Sequence, residues 1–136
     1  MGVLQRVDTS LRKFVVAPAT DRQAAAMFSA AVNLFERWGV SDTEAATLLD
    51  LPVRTYRRWK AGHIGRLGRD GKARLSNLMG IHKALRIIFA EPHRGYEWMR
   101  MSNAALDGQS ALDVMLGGEL TDLIRIRRYL DAESAL

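Results

Sequence analysis

The chain has 136 residues, 48% of them hydrophobic, so it can bury the core of one compact domain or two small ones and is not a disordered chain. It contains no cysteine, which excludes disulfides and thiolate metal sites, and it has no apolar run long enough for a secretory signal or a membrane span. We therefore expect a cytoplasmic protein. The formal net charge is +5, but residues 54–74 alone carry +7 and leave −2 for the remainder. This segment is expected to meet an anionic partner.

Residues 1–20 are predicted to be an N-terminal arm or strap. Their apolar residues 14–16 (Phe-Val-Val) favour a strap packed on the body over an arm that reaches DNA. Thr20 and Gln23 form a capping box, which predicts a helix that begins at Asp21. The apolar residues of this helix recur at helical spacing, and a glycine follows them as the stop: Ala24, Met27, Phe28, Ala31, Leu34, Phe35, Trp38 and then Gly39.

The stretch from Ser41 to Gly62 predicts a helix-turn-helix unit. Ser41 and Glu44 form a second capping box, so a short helix is expected to begin near Asp42. Asp50 can adopt the left-handed conformation that a tight turn requires. Pro52 suits the first position of the second helix, because proline has no amide hydrogen to leave unpaired there. This second helix is predicted to end at Gly62.

The second helix of this unit has two different faces. Tyr56 and Trp59 share one face and are expected in the core, with Trp59 against Leu48 and Phe35. The opposite face is basic. A basic helix face is often plain solvent-exposed surface, yet the spacing and the charge together favour a recognition helix in the DNA major groove. The predicted DNA-binding residues lie on this helix and in the loop after it: Val53, Arg54, Thr55, Arg57, Arg58, Lys60, Arg66 and Arg69.

A flexible basic loop and a long helix are predicted next. The glycine-rich loop at residues 62–71 follows no strand and lacks the Gly-Lys-Ser/Thr ending of a P-loop, so it is not a phosphate-binding cradle of that type. The helix is predicted over residues 71–90, with Pro92 marking its end. Its inward stripe is Leu75, Leu78, Met79, His82, Leu85, Ile88 and Phe89, with His82 expected as a partly buried polar residue. The three histidines lack metal-ligand spacing, so we expect no metal site.

The last third predicts two further helices. Ser110 and Asp113 are expected to cap a short helix that runs through Met115 and is broken by residues 117–118 (Gly-Gly). The final helix is predicted over residues 119–131, with Leu120, Leu123, Ile124, Arg127 and Leu130 at helical spacing. Arg125, Arg127, Arg128 and Tyr129 cluster near its end, where cations also stabilise the helix dipole without any partner.

Two stretches resemble the MbcA/ParS/Xre antitoxin family. The first runs from Trp38 to Leu49 and on through residues 55–59 to Gly62. The second comprises Trp98, Asn103, Leu106, Gly108, Ser110, residues 112–116, Gly118 and the closing helix. One departure is Ala111, where that family often has proline.

The resemblance implies a fold, a domain division and two partners. It implies an all-α helical bundle in which residues 21–91 form a helix-turn-helix domain that binds operator DNA. Residues 92–136 form a smaller toxin-binding module. The implied protein is a homodimeric antitoxin that forms a larger hetero-oligomer with a RES-domain, NAD-degrading toxin. We expect no cofactor and no enzymatic activity, because no nucleophile-base pair, carboxylate pair or metal set stands out.

Two segments compete as the toxin contact. One is the C-terminal tail, where Asp131, Glu133 and the terminal carboxylate could imitate the phosphates of NAD. This tail also contains Arg125, Arg127, Arg128, Tyr129 and Leu136. The other candidate is a face with Trp98, Asn103 and Asp113. The alternative function is an ordinary helix-turn-helix repressor whose C-terminal half only dimerises or senses an effector.

Overall fold

A computed structural model describes residues 20–135, so most of the predicted arm or strap, and Leu136, lie outside the described residues. Within this range the chain is helical and contains no strand, which confirms the predicted all-α class. No helix in this range is long and apolar enough to cross a membrane. The elements in chain order are α1 (Asp21–Trp38), α2 (Asp42–Leu49), α3 (Val53–Lys60), α4 (Arg69–Ile88), α5 (Pro92–Trp98), a 3₁₀ turn (Ala104–Leu106), α6 (Ala111–Met115) and α7 (Leu120–Ser134).

Both predicted capping boxes are present and set the starts of α1 and α2. The Gln23 backbone N–H donates to Thr20 Oγ1 at 3.1 Å, and the Thr20 N–H donates to Gln23 Oε1 at 2.8 Å. Ser41 and Glu44 repeat this reciprocal pairing at 3.0 and 3.1 Å. Because each box satisfies two amides that a helix start leaves unpaired, these local residues fix where the helices begin.

The turn between α2 and α3 differs from the prediction by one residue. Asp50 adopts the left-handed conformation expected of it, with φ 52°. Pro52 precedes the helix as its N-cap, with an extended backbone (φ −58°, ψ 141°), and α3 begins at Val53. The Pro52 carbonyl accepts the Tyr56 N–H at 3.0 Å, as an N-cap carbonyl does. The helix also ends at Lys60, two residues before Gly62. Gly62 has a positive φ of 111°, which is not a helical conformation.

The second half shows one helix that the sequence prediction missed. Pro92 was expected only to mark the end of the long helix, but it is also the first residue of α5. A proline is favourable there because the first helical amide has no acceptor within the helix. The predicted inward stripes also need correction. Ile81 in α4 and Ile126 in α7 are fully buried, whereas Ile124, assigned to the stripe of α7, is half-buried.

Helix α4 lies at the centre of the fold. It packs chiefly against α7, and also against α1, α2 and α5. A single cluster of buried side chains extends from Ala24 in α1 to Leu130 in α7. The predicted helix-turn-helix and C-terminal units therefore share one core.

Two arginines add polar links between the halves. The Arg74 side chain is buried and donates to the carbonyls of Leu48, at 3.3 Å, and Gly118, at 2.8 Å. The Arg100 guanidinium donates to the carbonyls of Trp38, at 3.1 Å, and Gly39, at 2.6 Å. These contacts fix the chain just before α2 and the end of α2 against the C-terminal half.

Candidate functional site

The inner face of α3 is built from two aromatic side chains. Tyr56 and Trp59 are 1% and 6% exposed, which confirms the predicted orientation of the helix. Both rings meet the Phe28 ring of α1 edge to face, with ring centroids 5.9 and 5.7 Å apart. Phe35, one of the two partners expected for Trp59, has its ring centroid 6.3 Å from that of Tyr56. Burial raises the pKa of Tyr56 to about 12, so the phenol stays neutral and α3 is anchored without charge.

The outer face of α3 carries four cations, and an acidic residue of α2 holds two of them. Arg54 and Arg58 are exposed and form no salt bridge within residues 20–135. Arg57 Nε lies 3.3 Å from Asp42 Oδ2, and Lys60 Nζ lies 3.0 Å from Asp42 Oδ1. The hydrogen bond from Lys60, with a smaller one from Arg57, lowers the pKa of Asp42, so this carboxylate is charged at neutral pH. The other two predicted DNA contacts on this helix, Val53 and Thr55, are half-buried.

The rest of the basic segment divides into two exposed and two paired cations. Arg66 and Arg69 are exposed beside the start of α4 and form no salt bridge in the part of the chain that the structure describes. Lys72 lies 3.1 Å from Asp21, and buried Arg74 lies 2.7 Å from Asp70. Four of the eight cations in residues 54–74 are therefore paired with carboxylates of the protein. The side chains left to meet an anion are Arg54, Arg58, Arg66 and Arg69.

A second surface joins the two segments that competed as the toxin contact. The rings of Trp98, at the end of α5, and Tyr129, in α7, are parallel to within 5° with centroids 6.0 Å apart. Phe89 lies beside Trp98 with its centroid at 6.5 Å. All three side chains are half-buried. We call these three residues the aromatic stack. It places one residue of the predicted face against one residue of the predicted tail.

The other predicted toxin-contact residues are spread over the C-terminal half. Asn103 is partly engaged, because its side chain accepts the Ala105 N–H at 2.9 Å and caps the 3₁₀ turn. Asp113 is exposed on α6. Arg125 lies 3.8 Å from Asp107, and Arg128 is exposed. Leu136 lies outside the described residues.

Arg127 is held against α4. Its Nη1 donates to the Ser76 carbonyl and to Asn77 Oδ1 at 3.5 and 3.4 Å, and its Nε lies 3.7 Å from Asp131. Gly80 leaves room for this side chain, because a Cβ on residue 80 would collide with the guanidinium. Arg127 therefore helps to join α7 to α4.

Sequence reasoning missed two parts of these surfaces. Asp42 was recognised only as the start of a helix, yet it pairs with residues 15 and 18 positions further along the chain. Phe89 was assigned to the core stripe and not to a surface cluster. No local pattern signals either contact, since both depend on how separate helices pack.

The fold and these surfaces define a helix-turn-helix protein whose core is shared with a C-terminal helical module. Residues 17–80 match the antitoxin Xre-like helix-turn-helix domain, and residues 84–135 match the antitoxin Xre/MbcA/ParS C-terminal toxin-binding domain. The chain belongs to this antitoxin family, which confirms the resemblance seen in the sequence. The two matched regions meet within α4, and the division at residues 91 and 92 stays a prediction.

The chain is also similar to two known proteins, one in sequence and one in fold. The chain is 40% identical over 118 residues to the uncharacterized protein y4oB of Sinorhizobium fredii (strain NBRC 101917 / NGR234), covering 85% of this chain and 91% of that protein. A chain in the crystal structure of the M. tuberculosis MbcT-MbcA toxin-antitoxin complex has a similar fold, with a TM-score of 0.56 and 23% identity. That match covers 82% of this chain and 93% of the other.

Proposed function

We propose that this antitoxin neutralises a RES-domain, NAD-degrading toxin and represses its own operon by binding operator DNA. Membership of the antitoxin family supports the toxin-binding part. The observation that carries the DNA-binding part is the orientation of α3, with its aromatic side chains buried and its arginines outside. The RES class of the partner rests on the resemblance in the sequence, and a cytoplasmic site of action rests on the composition of the sequence.

The DNA contact is proposed to combine base recognition with phosphate binding. α3 follows a short helix and a tight turn, as the recognition helix of a helix-turn-helix does. An arginine on the exposed face of this helix can form paired hydrogen bonds with guanine in the major groove, and Arg54 lies on that face. Arg66 and Arg69 flank the helix and suit phosphate contacts, which position a protein without reading sequence. In a homodimer, two such helices would reach half-sites about 34 Å apart.

The toxin contact is proposed to include the aromatic stack together with the C-terminal tail. Half-buried aromatic side chains and arginines are the residues that most often dominate the free energy of protein interfaces. Trp98 and Tyr129 are adjacent, and Glu133 follows Tyr129 by four residues, about one helical turn, on the same side of α7. One surface could therefore supply both an apolar anchor and the Glu133 carboxylate for a phosphate-binding pocket.

Coexpression with the product of the neighbouring gene tests this function. The chain is expected to co-purify with a toxin of the RES class and to prevent loss of cellular NAD. A product that degrades NAD despite a folded, coexpressed chain would overturn the proposal. A chain that binds operator DNA but neither binds nor inhibits that product would indicate the ordinary repressor instead.

Two variants separate the tail from the aromatic stack. The tail should be cut after Asp131, because Leu130 is a buried core residue and a longer deletion would damage the fold. Loss of NAD protection by this truncation, with the complex still formed, assigns inhibition to the tail. Loss of the complex in Trp98→Ala assigns binding to the stack. Arg22→Ala, on the exposed start of α1, is the matched control and should protect NAD fully.

A further inference from the structure

Asp42 links the start of α2 to the outer face of α3. It is the first residue of α2, and its two carboxylate oxygens contact different cations of α3, Arg57 at 3.3 Å and Lys60 at 3.0 Å. The partners are 15 and 18 residues away in the chain, so this arrangement depends on the packing of the two helices. Asp42 is an acidic side chain beside cations that are otherwise suited to DNA. Because a carboxylate repels phosphates, its presence there calls for a functional explanation.

The two contacts leave the two cations in different states. Arg57 is bound through Nε, and its terminal nitrogens Nη1 and Nη2 form no hydrogen bond within residues 20–135. The Arg57 side chain is 60% exposed, so these two donors face solvent. Lys60 has a single nitrogen, and that nitrogen contacts the carboxylate directly. The Asp42 contact therefore orients the arginine, and it holds the lysine ammonium beside a carboxylate that partly offsets its charge.

We propose that Asp42 determines DNA specificity by positioning Arg57 for guanine and by withholding Lys60 from phosphate. This inference rests on the proposed DNA-binding function. An arginine recognises guanine O6 and N7 with two donors at once, which requires a defined orientation of the guanidinium plane. A hydrogen bond at Nε restricts that plane before DNA arrives, so less conformational freedom is lost on binding. Arg58 has no such partner in the described range and can adapt to a phosphate.

Asp42→Asn removes the charge with little change of shape and tests this proposal. Binding is measured by fluorescence anisotropy at several salt concentrations, on a duplex of the promoter region of the chain's own gene and on a random-sequence duplex of equal length. Release of Lys60 should strengthen binding to the random duplex and steepen the log-log salt slope by about 0.9. Loss of the Arg57 orientation should lower the promoter-to-random affinity ratio by roughly fivefold to tenfold.

Asp50→Asn is the matched control. Asp50 lies exposed at the other end of α2, in the turn before α3, and asparagine also tolerates its left-handed conformation, so this variant removes one negative charge without touching Arg57. It should leave the promoter-to-random ratio unchanged. If Asp50→Asn lowers that ratio as much as Asp42→Asn does, net charge explains the effect and the positioning role is wrong.

A double-mutant cycle makes the test independent of net charge. Arg57→Ala should lower the ratio, and adding Asp42→Asn to it should cause no further loss. The positioning role would be overturned if the two substitutions lowered the promoter-to-random affinity ratio additively in the double variant. It would also be overturned if either single variant left that ratio unchanged. If circular dichroism shows that Asp42→Asn does not fold, Arg57→Lys replaces it in the test. Lysine keeps the positive charge but lacks the Nε–H that donates to Asp42. The promoter-to-random affinity ratio should therefore fall, while the salt slope stays constant. A parent protein with no preference for the promoter duplex would instead overturn the proposed DNA function itself.

Discussion

Replacing Arg74 by methionine removes the buried side chain that joins α4 to both halves of the protein. Arg74 is 4% exposed, and its guanidinium donates to the Leu48 and Gly118 carbonyls. Each buried carbonyl left without a donor costs about 1 to 3 kcal/mol, and the Gly118 carbonyl, which is partly exposed, can recruit water. The third partner, Asp70, has a side chain 54% exposed and keeps its hydration, so its loss adds little. We expect the unfolding free energy to fall by about 1 to 3 kcal/mol, mostly from the Leu48 carbonyl.

Urea unfolding, followed by circular dichroism and tryptophan fluorescence, measures this loss. With a typical slope for a small protein, the midpoint should decrease by roughly 1 to 2 M urea. Arg69→Met, an exposed position on the same helix, should leave the midpoint unchanged. The urea midpoint of Arg74→Lys should lie between those of the parent and Arg74→Met, because an ammonium group can still reach some of the three acceptors of Arg74. Equal midpoints for Arg74→Met and the parent would refute the role of Arg74 in joining the halves.

Three further substitutions test the core, the DNA surface and a half-buried histidine. Trp59→Ala should lower the unfolding free energy by about 3 to 5 kcal/mol, because it removes a buried ring packed on Phe28; normal unfolding with lost DNA binding would place Trp59 in the interface instead. Arg54→Ala should weaken promoter binding by about 1 to 3 kcal/mol in an anisotropy titration, and unchanged affinity would remove Arg54 from base recognition. Burial lowers the pKa of His82 from 6.5, with smaller contributions from Arg86 and Arg37. As the pH falls, the unfolded chain therefore protonates His82 at a higher pH than the folded chain does. Stability should therefore fall as pH drops below about 6.5, and His82→Gln should remove that part of the pH dependence in urea unfolding; parallel pH profiles for parent and variant would contradict it.

The sequence predicts most of the helix-turn-helix because its signals are local. The capping boxes of α1 and α2 each involve residues three positions apart, so these helix starts do not depend on tertiary contacts. The orientation of α3 is equally local, since Tyr56 and Trp59 are the only large apolar side chains in its last two turns. The assignment of exposed arginines followed directly from that orientation.

Features that depend on contacts between distant helices could not be predicted. α4 is covered by α1 on one side and by α7 on another, so a single apolar stripe underestimates its buried surface and leaves out Ile81. Arg74 counted as a surface charge because arginine is rarely buried, and its acceptors lie 26 residues before it and 44 residues after it. The aromatic stack likewise joins α5 to α7 through side chains that are 31 positions apart in sequence, Trp98 and Tyr129.

Cellular NAD, measured while the neighbouring toxin gene is induced with and without this chain, tests the proposed function most directly. We expect NAD to fall when the toxin is expressed alone and to stay at its resting level when the chain is present at equal or higher amount. The Arg22→Ala control should protect as the parent does. A fall in NAD of the same size in the presence of the folded chain would contradict its function as the antitoxin of that enzyme.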